Sequence, residues 1–201
     1  YDGCAAVRDA TPPSTPVTAK IRLGFDSDAN FEEIAAQALR SGINELTVHA
    51  RTKAQAYRPP AHWQRLRDIA NPNQTPIIAN GEIWTPSDLF DCRAQSGCDA
   101  FMLARGALCR PDLARAIKAH YEGRQLEPMS WQEITELLLY FFEANGELYQ
   151  RKFAINPLKQ WLVYLQYCYP QAAALFAQVK RIRDPDDMRV ALLGATSAIA
   201  A

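Results

Sequence analysis

The sequence lacks any apolar run long enough to cross a bilayer as a helix, and no segment has the composition of a secretory signal. We therefore expect no membrane partner. It also lacks an excess of charge of either sign, because 22 basic residues stand against 22 acidic ones. A global attraction to nucleic acid is thereby excluded, and any contact with RNA must come from local basic patches.

Cysteine and histidine are scarce and dispersed. The 5 cysteines form no C-x-x-C pair and do not cluster with the 3 histidines. This pattern argues against a zinc site and against a disulfide framework, so no metal is expected. It favours free thiols in a reducing compartment, which predicts a cytoplasmic protein.

The chain is long enough for one sizeable core, or for one domain with an appendage, since it has 201 residues of which 48% are hydrophobic. It begins without Met, at Tyr1, in a stretch that has the pattern of a helix interior. We expect the sequence to be a segment of a longer protein.

Short apolar segments alternate with helical ones over roughly the first 120 residues. Strands are predicted over 17–23, 45–51, 76–80 and 99–103. Helices are predicted over 30–41, 61–70, 86–96 and 111–121. Alternation at this spacing favours βα units with parallel strands, which places this part of the chain in the α/β class.

From Ser130 onward the pattern is entirely helical. Ser130 and Glu133 have the spacing of a capping box, and Asn145-Gly146 is predicted to end the helix that the box opens. Three more helices are predicted: one contains residues 158–165, one spans 173–182, and one begins at Asp184. We therefore predict an α/β domain over 1–122 and an all-α helical-bundle domain over 129–201.

The first two predicted strands have one apolar face and one polar face, and the third carries polar Asn80 and Glu82 on one face at its C-terminal end. In an open doubly wound sheet the central strands would be apolar on both faces. In a (β/α)8 barrel the polar face lines the interior, and its polar residues converge on the mouth. The pattern therefore favours part of a TIM barrel. The residues expected at its mouth are Lys20, His49, Arg51, Asn80, Glu82 and Arg105.

Two turns that contain glycine follow the third and fourth strands. Phosphate in such barrels often binds at the loops after strands seven and eight, on backbone N–H groups. If the four units are the last four of a barrel, those loops are Asn80-Gly81-Glu82 and Ala104-Arg105-Gly106. A bound phosphorylated cofactor follows as a hypothesis.

Four segments together resemble the tRNA-dihydrouridine synthases, and the resemblance covers nearly the whole chain. They are 20–24 (KIRLG), 48–52 (VHART), 76–83 (PIIANGEI) and 104–108 (ARGAL). In that family they correspond to strands five to eight, so the resemblance implies the C-terminal half of a TIM barrel followed by a helical tRNA-binding domain. Three segments are similar to the bacterial C subgroup in particular, namely Tyr57-Arg58, 80–84 (NGEIW) and 159–162 (KQWL).

The resemblance implies flavin mononucleotide (FMN) as cofactor, NADPH as reductant and tRNA as partner. The implied reaction is reduction of the uridine C5=C6 bond to dihydrouridine, and the subgroup implies position sixteen of the D-loop. Lys20 and His49 would approach the flavin ring, and the other residues its ribityl and phosphate groups. The full implied cofactor set is Lys20, His49, Asn80, Gly81, Glu82, Ala104, Arg105 and Gly106.

A second set of residues is implied to contact the uracil or the tRNA. It consists of Arg51, Lys53, Tyr57, Arg58, Arg151 and Lys159. Between residues 145 and 201, seven basic residues against four acidic ones leave a balance of +3. This is a modest patch, which a solvated helix face would also explain.

Two departures from the family pattern matter. The family's catalytic cysteine lies in the loop after strand four, and no cysteine here matches its motif, so no catalytic residue is expected in this chain. The cysteines compared are Cys4, Cys92, Cys98, Cys109 and Cys168. Ala104 stands where many relatives have glycine, and it would be strained if its φ angle were positive.

Other interpretations stay open from the sequence alone. Lys20 could pair with a carboxylate such as Glu82, and His49 could be a hydrogen-bonded core histidine. The protein could be another flavin TIM-barrel oxidoreductase that acts on a free pyrimidine, although such an enzyme needs no helical extension. It could also be a non-catalytic tRNA-binding fragment. With half a barrel, the chain is expected to be inactive alone, to expose two unpaired strand edges, and to be completed by a missing half-barrel.

Overall fold

The computed structural model describes residues 2–69, 71, 74–150 and 153–197. The chain forms two compact units, Tyr1–Ala104 and Arg105–Ala201. The first unit alternates strands and helices, and the described part of the second unit contains helices and no strand. The correspondence between these units and the two predicted domains stays a prediction.

The strands and helices of the first unit follow the predicted order. They are α1 (Asp2–Ala10), β1 (Thr18–Arg22), α2 (Phe31–Arg40), β2 (Glu45–His49), a 3-10 helix (Trp63–Asp68), β3 (Ile77–Asn80), α3 (Pro86–Ser96) and β4 (Ala100–Met102). Helix α3 begins after an N-cap at Thr85, where the Thr85 hydroxyl accepts a hydrogen bond from the Asp88 amide and the Asp88 carboxylate accepts one from the Thr85 amide. It ends at Gly97, which has a left-handed φ of 72°.

The four strands form one parallel sheet in the order β1-β2-β3-β4. The α/β class and the parallel strands are therefore confirmed, whereas the closure of these strands into a half-barrel stays a proposal. The apolar face of the sheet carries Leu46, Val48 and Ala79, each fully buried. The burial of this face leaves the polar face as the side available for chemistry.

One predicted helix of the first unit has a different form. The segment predicted as a helix over 61–70 is a 3-10 helix confined to Trp63–Asp68. No side-chain hydrogen bond from His62 caps it. A short, uncapped turn of this kind gains little by adopting α-helical hydrogen bonds, which explains the tighter geometry.

The second unit is built around an apolar core in which helices contribute leucines at helical spacing. Its helices are α4 (Arg105–Cys109), α5 (Leu113–Tyr121), α6 (Trp131–Leu148), α7 (Ile155–Leu165), α8 (Gln171–Val179) and α9 (Pro185–Ser197). Leu138, Leu158, Leu162 and Leu165 are fully buried in this core. The predicted capping box between Ser130 and Glu133 is present at the start of α6.

The prediction that Asn145-Gly146 ends a helix is wrong, because α6 continues to Leu148. The Asn145 side chain donates a hydrogen bond to the Phe141 carbonyl at 2.7 Å, and the Tyr149 amide donates to the Asn145 carbonyl at 3.0 Å. Asn145 therefore supports the helix from within instead of adopting the left-handed conformation of a C-terminal cap.

The predicted domain boundary and the boundary between the compact units fall at different places. The units divide after Ala104, so α4 and α5 belong to the helical unit, whereas the predicted domains divide at residues 122–129. Where a barrel would end along the chain stays a prediction. Within the described residues, no helix has the length and apolar character needed to cross a membrane.

We predict that the isolated chain associates in solution. Strands β1 and β4 are the outer strands of the described sheet, and an outer strand presents unpaired N–H and C=O groups to other chains. Sedimentation velocity over a concentration series should therefore show species larger than the monomer. A single monomeric species with one cooperative melting transition would contradict this expectation.

Candidate functional site

The register of the sheet brings polar side chains into one row at the carboxyl ends of the strands. Arg22 pairs with His49, His49 pairs with Asn80, and Asn80 pairs with Met102. Partners in a parallel sheet point to the same side, so Arg22, His49 and Asn80 share one face. The alternation predicted from the sequence is thus present, and it gathers three polar groups where such sheets carry ligand sites.

Lys20 extends across the polar face to the third strand. Its Nζ donates a hydrogen bond to Asn80 Oδ1 at 3.0 Å, and Asn80 Nδ2 donates to the Met102 carbonyl at 2.8 Å. This chain of contacts connects β1 with β3 and β3 with β4. The alternative that Lys20 pairs with Glu82 is not what the structure shows, since Lys20 bonds an amide.

The environment of Lys20 destabilises its ammonium form relative to that of an exposed lysine. Desolvation of the ammonium group lowers its pKa below the ordinary value for lysine, and the positive charge of Arg22 lowers it further. A lysine with a lowered pKa can donate a hydrogen bond to a ligand and can also exist as a free amine, which makes it a candidate for a functional site.

His49 lies against the glycine of the turn that follows β3. His49 is only 6% exposed. Gly81 has a φ of 116°, and a methyl group at its Cα would lie 2.9 Å from His49 Cδ2. Glycine is required here for two reasons. The positive φ is unfavourable for other residues, and the imidazole leaves no space for a side chain. The Trp63 indole donates to the Gly81 carbonyl at 2.8 Å and holds the turn.

Arg51 and Glu82 form an ion pair beneath this turn. Arg51 follows the end of β2 and is fully buried, and its Nε donates to the Pro60 carbonyl at 3.2 Å. Glu82 Oε1 accepts a hydrogen bond from the Trp84 indole at 2.8 Å, and Glu82 has a left-handed φ of 60°. The carboxylate of Glu82 is thus engaged on both sides, so contact with a cofactor would use its backbone. The expected contact of Arg51 with uracil stays a prediction.

Three of the predicted tRNA contacts lie on the exposed loop after β2. Lys53, Tyr57 and Arg58 all present side chains to solvent. The Tyr57 ring centroid lies 6.2 Å from that of His49. This loop therefore extends from the row of polar residues to the surface, as a contact region for a large substrate must.

The remaining predicted cofactor residues lie around the division between the units. Ala104 is the last residue of the first unit, while Arg105 and Gly106 begin the second. Among the described residues, a left-handed φ occurs outside glycine at Ala56, Gln74 and Glu82. Ala104 is not one of them, so the strain considered for alanine at this position does not arise.

A basic groove of about 770 Å³ lies in the helical unit. Lys159 donates a hydrogen bond from Nζ to the Ile182 carbonyl at 2.6 Å. The residues that line the groove are Ile155, Asn156, Lys159, Lys180, Arg181, Ile182 and Arg183, four of them cationic and none acidic. Arg151, the other contact predicted in this region, lies outside the described residues.

Sequence reasoning missed several contributors. Arg22, Trp63 and Trp84 all hold parts of the site. Trp63 carried no signal beyond its apolar character, whereas Trp84 belongs to a segment that resembles the bacterial C subgroup. Arg22 could have been found, because it alternates with Lys20 on the same strand. Among the described residues, no three His, Cys, Asp or Glu side chains are grouped as metal ligands would be.

Comparison with known proteins gives a consistent result. A protein-family model described as dihydrouridine synthase matches residues 1–198. A tRNA-dihydrouridine(16) synthase of Pseudomonas putida is 43% identical over 178 residues, which cover 89% of this chain and 55% of that protein. Proteins with the same name from Neisseria meningitidis and Escherichia coli are also similar. The Neisseria protein is 38% identical over a match that covers 91% of this chain and 55% of that protein. The Escherichia coli protein is 39% identical over a match that covers 96% of this chain and 60% of that protein. The chain thus spans little more than half the length of the curated relatives it matches.

We predict that Lys20 reacts with acylating reagents at lower pH than the exposed Lys118 does. The reason is that a lowered pKa leaves more of its amine neutral at any given pH. Acetylation over a pH series, followed by peptide mass spectrometry, measures both lysines in one sample. Arg22→Met should move the Lys20 profile to higher pH, whereas Arg40→Met on α2 should leave it unchanged. Coincident profiles for Lys20 and Lys118 would contradict the assignment.

Proposed function

The chain belongs to the dihydrouridine synthase family, and we propose that it acts as the C-terminal part of an FMN-dependent, NADPH-driven enzyme that reduces uridine to dihydrouridine in tRNA. The observation that carries this proposal is the row of polar residues on the sheet, where Lys20, Asn80 and the Met102 carbonyl form one chain of contacts. The name shared by the similar proteins supports position sixteen of the D-loop as the target.

The residues of this chain fit a flavin. Gly81 leaves a space beside His49 that a side chain would fill. Lys20 offers a hydrogen-bond donor on the open face, and the backbone of Gly81 and Glu82 is held in a left-handed conformation by Trp63 and by the Arg51 ion pair. Lys20 and His49 would hold the ring, Asn80, Gly81 and Glu82 the ribityl chain, and Ala104, Arg105 and Gly106 the phosphate.

When bound, reduced FMN would supply the hydride for the uracil C5=C6 bond, and NADPH would restore it. The balanced reaction consumes uridine, NADPH and one proton, and yields dihydrouridine and NADP⁺. The role of this chain is to bind and orient, because the second hydrogen needs a general acid.

The three buried cysteines of this chain are poor candidates for that acid. Burial raises the pKa of Cys92 to about 12 and that of Cys109 to about 11, and it also raises the pKa of Cys98. An acid with so high a pKa transfers its proton inefficiently near neutral pH. We therefore propose that the acid lies outside this chain, which explains why the chain alone would be inactive.

The helical unit would supply the contact with tRNA. Its basic groove places Lys159, Lys180, Arg181 and Arg183 around one open space, and cations grouped in this way attract phosphodiesters. Lys53, Tyr57 and Arg58 would contact the RNA from the first unit. A flavin enzyme for free pyrimidines would have no use for such a groove.

We predict that added FMN shows a perturbed absorbance spectrum with this chain. Gly81→Ala should abolish the perturbation, because its methyl group would press on His49 and its φ would be strained. Gly194→Ala is the matched control, since a methyl group there has open space. If this chain does not perturb the FMN spectrum, the same titration is repeated on a version extended by the missing half-barrel. An unperturbed FMN spectrum with that version would refute the flavin assignment.

We predict that Lys159→Glu weakens tRNA binding by about tenfold or more, with a reduction of about 0.9 in the slope of log affinity against log salt if one duplex phosphate contact is lost. Filter binding at several salt concentrations measures both quantities. Lys118→Glu on α5 makes the same charge change outside the groove and should have a much smaller effect. Unchanged affinity and slope for Lys159→Glu would remove this residue from the interface.

A further inference from the structure

Arg22, on β1, forms hydrogen bonds to the backbone of the exposed loop after β2. Its Nη1 donates hydrogen bonds to the Thr52 carbonyl at 3.0 Å and to the Ala56 carbonyl at 3.2 Å. These two carbonyls lie at the two ends of one tight turn. A single cationic group therefore closes the turn, and hydrogen bonds from a charged donor are stronger than those between neutral groups.

The same guanidinium also contacts the aromatic residue that follows the turn. Arg22 Cζ lies 5.7 Å from the centroid of the Tyr57 ring, a distance typical of a cation–π contact. Because Arg22 and His49 are partners in the sheet, Tyr57 lies against both members of the row. Its position is thus set by the polar face of the sheet and not by the loop alone.

The turn is strained, and it needs external support to persist. Ala56 has a left-handed φ of 51°, a conformation that is unfavourable for a residue other than glycine. Other contacts act with Arg22: Gln55 Oε1 accepts from the Thr52 amide at 2.8 Å, and the Lys53 amide donates to the Gly24 carbonyl at 2.9 Å. Among these supports, Arg22 is the one that comes from the sheet.

We propose that Arg22 is a positioning residue that fixes the loop over 52–58, so that Lys53, Tyr57 and Arg58 are presented in one arrangement before any RNA binds. The identity of the ligand rests on the proposed function, whereas the fixing of the loop does not. A loop that is already ordered loses less conformational entropy on binding, so Arg22 raises affinity without touching the ligand.

The first test uses the chain without RNA. Hydrogen–deuterium exchange of Arg22→Met should show the amides of Lys53, Ala54 and Ala56 exchanging about tenfold faster or more, with the sheet amides of Leu46 and Ala50 unchanged. Arg22→Lys should restore part of the protection, because an ammonium group can still reach a carbonyl. Unchanged exchange in the loop, or faster exchange throughout the sheet, would overturn the proposal.

The second test measures tRNA affinity and its dependence on salt. Arg22→Met should weaken binding about tenfold with an unchanged salt slope, since no phosphate contact is lost, and Arg22→Lys should recover part of the affinity. Arg40→Met controls for the loss of one positive charge from an exposed helix position. A slope that falls by about 0.9 would mean that Arg22 binds phosphate itself, which overturns the positioning role. If the parent chain fails to bind tRNA, the same binding measurement on a version extended by the missing half-barrel tests the proposed function, and failure there refutes it; the exchange measurement decides the role of Arg22 in either case.

Discussion

A fully buried guanidinium has to be paired, and this requirement organises the polar end of the sheet. Arg51 meets it through Glu82 and through the Pro60 carbonyl. Loss of either charge would leave the other buried without compensation, which is far more costly than loss of a surface pair. The left-handed conformation of Glu82 is tolerated because the ion pair and the Trp84 indole both hold its carboxylate.

The same pairing determines the charge of the open face. Because Glu82 is engaged with Arg51, it does not neutralise Lys20, which bonds the Asn80 amide instead. Lys20 and Arg22 therefore keep the polar row cationic, and their mutual repulsion contributes to the lowered pKa of Lys20. The buried pair thus leaves Lys20 bonded to a neutral amide, so that it can also donate to an electron-rich ligand, which is the type of ligand that the family resemblance implies.

The sequence predicted those features of the helices and strands that depend on residues close together in the chain. The predicted hydroxyl cap at Ser130 is present, and the alternation along β1 and β2 predicted which side chains share a face. The type of one helix, the end of another and the ion-pair partner of Glu82 were less predictable. The 3-10 helix at Trp63 and the continuation of α6 past Asn145 depend on weak hydrogen-bond preferences. The partner of Glu82 depends on how the turn after β3 meets the loop after β2, which strand periodicity does not encode.

The distribution of the cysteines has a practical consequence for spectroscopy. Cys92, Cys98 and Cys109 are buried, and their pKa values are raised, so alkylating reagents reach them slowly as thiolates. Desolvation also raises the pKa of Cys168, but this residue is exposed in the helical unit, and Cys4 is partly accessible in the first unit. Each compact unit therefore carries one native attachment point for a fluorophore or a spin label. A donor and an acceptor placed at these two thiols would report the distance between the units without any engineered residue.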